Sequence, residues 1–322
     1  MNIESLLDPS YAFFLEKPPS EWTFATLPGI RARISADNPP PHLERCEQRW
    51  TTGTPSGCRV RVCIYRPYPV IENQALPVIL YLHGGGFVLG SPEMVDDYLA
   101  DLAEALEAVI VAVDYKLAPE YPFPIPLQDC YTALTWLFSQ SVSLGVDPQK
   151  VVVMGHSAGG GLAAALALLV RERGQHSLAG LLLVYPMLDH RTGSSVAPVA
   201  NPTTGTLNWQ RKENQFCWQC MRGKYDLGDD HAYLFSAALA PDLRGLPRSF
   251  IGVGALDLFL EEDVDFALKL SRSGVPMELH VYPGVPHMTK GGEQDVIPFW
   301  PELLFTHVCP CLGSTQRLGN SS

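Results

Sequence analysis

The chain has no surplus of positive charge: 23 Lys and Arg stand against 34 Asp and Glu, a formal net charge of −11. Nucleic acid and anionic membrane surfaces are therefore poor principal partners. No run of residues reaches the length and apolarity of a bilayer-spanning helix, so stable membrane insertion is not expected. The opening MNIESLLDPSYAFFLEKPPSEW lacks a basic stretch followed by an apolar one, and the closing LGNSS is not a targeting signal, so a cytoplasmic location is expected. Metal-finger spacing is also missing. Cys217-Trp218-Gln219-Cys220 has no second Cys/His pair to complete it, and Cys309-Pro310-Cys311 is no better placed, so no metal site is expected. The 8 cysteines are scattered, and reduced thiols are the expected state. There is no internal repeat. Charged residues make up only 18% of the chain and hydrophobic residues 46%, which excludes global disorder and leaves enough apolar material for a large core.

What is present reads as alternating strands and helices. CRVRVCIYR (58–66) alternates with period two, as a half-buried strand near a sheet edge does. Continuous apolar runs at 76–83, 109–115, 151–154 and 178–189 predict buried strands, and 248–255 and 277–283 predict two more. Helices are expected over 92–107, 128–140, 161–174 and 261–273, and within 293–308. The prolines of 116–129 predict a stiff extended loop. This order predicts an α/β fold with a mostly parallel central sheet and helices on both faces. Residues 1–50 read as one or two helices covering something rather than the start of a sheet. Residues 189–225 read as an insertion, first loop-like and then helical. The expected division is a helical cap segment (1–50) and a core (51–322) that carries 189–225 as a cap insertion.

The stretch that organises this pattern is VVVMGHSAGGG (151–161). A buried strand runs into Gly155-His156-Ser157-Ala158-Gly159, which fits G-x-S-x-G, and an apolar helix follows. Strand, tight glycine-flanked turn and helix is the setting in which a serine is thrust out as a nucleophile. Small neighbours let strand and helix approach closely, and the helix N-terminus aims N–H dipoles at any oxyanion formed there.

Ligands of an open parallel sheet lie beyond the carboxyl ends of its strands. Four features of this chain fall there: Gly84, Gly85 and Gly86 after one strand, then Ser157, Asp257 and His287 after three others. A serine nucleophile needs a histidine to take and return its proton, and a carboxylate to hold that imidazole. His280 lies inside a strand, His83 fits a loop anchor, His156 adjoins the serine and His307 is in the tail, whereas His287 follows the last predicted strand, the position expected of the base. Asp257 is the expected acid and Asp189, also after a strand, its competitor. Asp263 and Asp265 read as a solvated helix face, and Asp114 and Glu120 as structural partners of the proline-rich loop.

Together His83-Gly84-Gly85-Gly86-Phe87, Asp114-Tyr115-Lys116-Leu117-Ala118-Pro119-Glu120, Gly155-His156-Ser157-Ala158-Gly159-Gly160 and Tyr185-Pro186 resemble the hormone-sensitive-lipase-like branch of the α/β-hydrolases over about residues 50–290. The resemblance implies an α/β-hydrolase fold with a helical cap, and cleavage of carboxylic esters without metal or organic cofactor. It implies Ser157 as nucleophile, His287 as base and Asp257 as orienting acid. The oxyanion would meet N–H groups of Gly85, Gly86 and Ala158, with Gly84 shaping the loop. The chain departs from the family at His156, where an acidic residue is usual, at Met288-Thr289 after the histidine, and at Leu258-Phe259 after the acid. Phe87, His156, Trp209, Phe216 and Met288 are the candidate pocket residues, with Phe13, Phe14 and Trp218 as further cap aromatics that either line the pocket or form the cap's own core. The expected partner is a small ester of short or medium acyl chain, or a natural-product ester. A homodimer is left open, and a lyase or dehydratase and a non-catalytic small-molecule receptor on the same scaffold are the alternatives.

Overall fold

The computed structural model describes residues 3–16, 21–37, 46–52, 59–68 and 74–287. Met288, Cys58, Cys309, Cys311, His307 and the helix expected within 293–308 lie outside these residues. Eight strands form one sheet in the order β1-β2-β4-β3-β5-β6-β7-β8. They are β1 (Glu47–Trp50), β2 (Arg61–Tyr65), β3 (Leu76–Leu82), β4 (Val109–Asp114), β5 (Val146–His156), β6 (Gly180–Val184), β7 (Ser249–Gly254) and β8 (Met277–Tyr282). From β4 through β8 every pairing is parallel, while β2 runs antiparallel to both β1 and β4. The helices are α1 (Leu27–Asp37), α2 (Asp96–Leu106), α3 (Ile125–Ser139), α4 (Ser141–Leu144), α5 (Ala158–Arg173), α6 (Arg211–Arg222), α7 (Ala232–Phe235) and α8 (Leu260–Arg272). None is long and apolar enough to cross a membrane among the described residues.

Successive residues of a strand face opposite ways, and that period sorts the core into two layers. Val78, Leu80, Leu82, Val111, Val113, Val151 and Val153 join a layer with α3, α5 and α8. Ile79, Tyr81, Ile110, Ala112, Val152 and Met154 join a second with Leu99, Leu102, Ala103 and Leu106 of α2. Both faces are thus covered, which is why the central strands are apolar throughout. Leu7, Tyr11 and Phe14 of the N-terminal segment build a small third cluster with Leu207 and Leu256, so the segment packs where the insertion meets the end of β7.

Three features differ from the sequence expectation. Residues 1–50 are not all helical cover, because Glu47–Trp50 is the edge strand of the sheet, paired antiparallel with β2. Its residues, EQRW, carry no apolar alternation because three of the four are exposed, and charged residues on an edge strand discourage stray pairing. β2 is accordingly one strand in from the edge, with four of its five residues buried rather than half of them. Helix α3 begins at Ile125, inside the proline-rich stretch, where Pro126 occupies the first turn and gives up no intrahelical bond.

Candidate active site

Strand β5 delivers Ser157 at its carboxyl end, and α5 begins at the next residue. Ser157 has φ 54° and ψ −120°, a backbone conformation that costs about 1–3 kcal/mol and persists only when its surroundings enforce it. They do so through hydrogen bonds: Ser157 N–H donates to Val184 O at 2.9 Å, and Ser157 O accepts from Gly161 N–H at 3.0 Å and Met187 N–H at 2.9 Å. The flanking glycines are required by close approach. A methyl group at Gly155 would overlap the carbonyl of Gly159, and one at Gly159 would overlap the carbonyls of Leu82 and His83.

Asp257 follows β7 and His287 follows β8 across a short irregular segment. His287 Nδ1 lies 2.7 Å from Asp257 Oδ2, and its Nε2 lies 3.0 Å from Ser157 Oγ. A carboxylate only accepts, so the imidazole proton sits on Nδ1, and Nε2 is left to accept from the serine hydroxyl. Asp257 Oδ1 accepts Phe259 N–H at 2.9 Å, which fixes the carboxylate. The imidazole is boxed by Tyr185, Phe259 and Trp209, with ring centroids 4.8, 4.9 and 5.8 Å away. Asp257 and His287 are fully buried and Ser157 is 3% exposed. The arrangement can pass a proton from Oγ to Nε2 while a buried anion steadies the imidazolium that results. The sequence-predicted serine, histidine and aspartate are therefore brought together. Asp189 is not part of this set. Its carboxylate is taken by Arg191, whose Nη2 lies 2.7 Å from Oδ2.

The glycine loop lies against the elbow, so that a methyl at Gly84 would stand 3.4 Å from Ser157 Cβ. Gly85 and Gly86 have φ of 116° and 60°, and a methyl at Gly86 would collide with Trp209 and Cys217. Ala158 is the first residue of α5, a position whose N–H has no intrahelical acceptor. The loop is held from behind. His83 stacks on Tyr115 with centroids 4.1 Å apart, Tyr115 Oη donates to His83 O at 2.6 Å, and burial holds the His83 imidazole below its usual pKa. From the N-terminal segment, Arg31 donates through Nε to Val88 O at 2.6 Å and through Nη2 to Ala118 O at 2.7 Å, and it pairs with Glu120. Glu120 thus serves the proline-rich loop as expected, while Asp114 bonds Arg61 of β2 at 2.8 Å.

The pocket candidates divide. Trp209 reaches the site, between Gly86 and His287. His156 does not: it turns from Ser157 toward Tyr81, Tyr98 and Tyr185, its Nδ1 is 3.0 Å from Tyr81 Oη, and burial lowers its pKa to about 3. Adjacent residues at a strand end face opposite sides, which separates the two. Phe87 and Phe216 are core, the first packed on Trp218 and the second on Phe24. Phe14 belongs to the third cluster, whereas Phe13 is 40% exposed. Asp263 is the clearest misreading. It is fully buried, both of its carboxyl oxygens lack a hydrogen-bond partner among the described residues, and burial raises its pKa well above the ordinary value. It falls on the buried stripe with Phe266, Ala267 and Leu270, a spacing legible in the sequence. Asn208 was not singled out in the sequence, yet its Nδ2 donates to His287 O at 2.7 Å. No group of His, Cys, Asp and Glu fit to hold a metal ion occurs among the described residues.

A family model described as the alpha/beta hydrolase fold matches residues 79–290, which include every element of this site. The chain belongs to the α/β-hydrolase family. Within the family it falls in the hormone-sensitive-lipase-like branch. Carboxylesterase NlhH of Mycobacterium tuberculosis is 34% identical over 293 residues, covering 87% of this chain and 88% of that protein. The ethyl acetate hydrolase of Pseudomonas putida is 32% identical over 228 residues, 68% of this chain and 67% of that one. Among solved α/β-hydrolases, a bacterial heroin esterase superposes with a TM-score of 0.83 at 31% identity, covering 96% of this chain and 99% of its own.

Proposed function

We propose that this α/β-hydrolase is a serine carboxylesterase acting through an acyl-enzyme on Ser157. The observation that carries the reading is the hydrogen-bonded series Asp257–His287–Ser157, at 2.7 and 3.0 Å, set beside the glycine loop and the N-terminus of α5. Ser157 Oγ attacks the ester carbonyl while His287 Nε2 takes its proton. The N–H groups of Gly85, Gly86 and Ala158 receive the oxyanion. His287 returns the proton to the departing alcohol, then takes one from a water as it adds to the acyl carbonyl, and gives that proton to Ser157 Oγ as the acid departs. Asp257 keeps the Nδ1 tautomer throughout. Esters of short acyl chain fit best, because Ser157 is 3% exposed and Trp209 and Cys217 close on Gly86. One relative's name, ethyl acetate hydrolase, is that of an enzyme for an ester of this size.

The test is hydrolysis of p-nitrophenyl esters of graded chain length with Ser157→Ala alongside. Acetate and butyrate esters are expected to turn over fastest, and kcat to fall by about 10⁴-fold or more in the variant. Undiminished turnover by Ser157→Ala would refute the nucleophile. Folded protein with no esterase activity at any chain length would move the reading to the lyase or the receptor.

A further inference from the structure

We infer that Asn208 is a positioning residue that holds His287 in register with Asp257 and Ser157. This rests on the serine-esterase reading above. The sheet ends at Tyr282, five residues before the histidine, and no strand or helix among the described residues carries the chain from there to the imidazole. The segment is tied instead by bonds from other loops. Gly284 O accepts Asp8 N–H at 3.1 Å, Val285 O accepts Leu256 N–H at 2.9 Å, and His287 O accepts the side-chain amide of Asn208 at 2.7 Å. The last is the bond made to the histidine's own carbonyl.

Asn208 is built for that bond. Its φ is 57°, a left-handed conformation that asparagine and glycine tolerate better than other residues. The loop that carries it is anchored on both sides. Gly205 N–H donates to Leu256 O, next to the acid, at 3.3 Å. Arg211 donates to Asn201 O at 2.7 Å, and Asn201 Nδ2 donates to Glu261 at the start of α8 at 2.8 Å. On the far side, Trp209 packs against the imidazole, and its indole N–H donates to Asn214, which itself donates to Thr192 O at 2.8 Å. Residues 201–209 therefore join the acid's loop to the base's loop. Asn208 makes the join to the base through the backbone carbonyl of His287. Its effect should fall on the chemical step, since proton transfer is steep in geometry, and not on substrate affinity.

Two variants separate the amide from the backbone. Asn208→Gly keeps the left-handed turn and removes the donor. Asn208→Asp keeps the size and sets a carboxylate oxygen against a carbonyl oxygen, with new negative charge near the imidazole. For Asn208→Gly, kcat is expected to drop about five- to tenfold with KM within twofold, the scale of one lost neutral hydrogen bond. For Asn208→Asp the loss should be larger, and the acid limb of kcat/KM should move to higher pH, because a nearby anion favours imidazolium. Thermal melting of each variant checks that it is folded. If Asn208→Asp keeps both kcat and the acid limb of the parent, the inference is wrong. If Asn208→Gly lowers kcat and raises KM in parallel with a collapse in melting temperature, the role is general folding and the inference is again wrong. Ser157→Ala assayed in the same series keeps the two readings apart. If that control stays active, the esterase mechanism has failed. If it is dead while both Asn208 variants match the parent, only the positioning role has failed.

Discussion

Ser157 and His287 meet in one hydrogen bond but are held by differently built regions. The serine sits at the junction of a strand buried over Val151–Gly155 and a helix that closes on it glycine to backbone, with its own N–H and C=O fixed by β6 and the turn after it. The histidine stands past the edge strand of the sheet, held by Asp8, Leu256 and Asn208 from segments outside the sheet. The glycine loop is intermediate: β3 starts it and Tyr115 backs it, but Arg31 of the N-terminal segment ties down Val88. The N-terminal segment and residues 201–209 of this α/β-hydrolase therefore tie down loops of the candidate site. Ser157 depends on the core, whereas His287 and one arm of the glycine loop depend on segments that the core does not specify.

The largest test of this contrast strikes the core. Gly159→Ala puts a methyl into the carbonyls of Leu82 and His83, and overpacking of that kind costs about 1–3 kcal/mol or more. Calorimetry should show a melting temperature lower by about 5–10 °C, together with loss of activity, if the elbow belongs to the fold itself. A variant that is stable but inactive would show instead that the elbow can be loosened without the core. Next comes Arg31→Ala. It removes donors to two carbonyls, and charged hydrogen bonds are worth about 1.5–3 kcal/mol. We expect kcat for a short ester to fall about tenfold and the melting temperature to drop by about 5 °C, and Arg31→Lys to recover little, because a point-like ammonium cannot span Val88 and Ala118. Glu120→Gln should matter less than threefold, since the carboxylate is 54% exposed and a surface ion pair is worth about 0–1 kcal/mol. Equal effects of Arg31→Ala and Glu120→Gln would place the function of Arg31 in the ion pair and not in the loop.

The smallest expected effect concerns Asp263, whose pKa is raised by burial. A carboxyl whose folded pKa lies above its unfolded value binds more protons when folded, so stability is fully present below about pH 3.9 and is lost as pH rises through the folded pKa. Asp263→Asn removes that loss. Its melting temperature should exceed the parent's at pH 8 by a few degrees, and the gain should vanish near pH 4. A gain of equal size at both pH values would deny the shift.

What could be read from the sequence follows the same division. The elbow was legible because its requirements are local: an apolar strand, two glycines and a helix lie within about 20 consecutive residues. Asp257 and His287 were placed by the rule that functional residues follow strand ends. β1 was missed because an edge strand exposed on most of its residues has no need of apolar alternation. Asp263 was misread because its chemistry suggested solvent while its spacing put it on the buried stripe of α8. Asn208 gave no signal, since its bond reaches a carbonyl 79 residues away and any loop asparagine looks the same in one dimension. His156 was given to the pocket because it adjoins the serine in sequence, and the strand's two-sided geometry sends it elsewhere.

Trp209 stands between two parts of the candidate site. Its ring touches the position of Gly86 on one side and faces the imidazole of His287 on the other, so one side chain packs against both. If the site works as proposed, enlarging it there to admit bulkier acids removes a prop from His287 and a neighbour from the glycine loop together. Breadth of substrate and speed of turnover are mechanically linked at this residue, and a library meant to widen the one without slowing the other has to vary its neighbours and leave Trp209 in place.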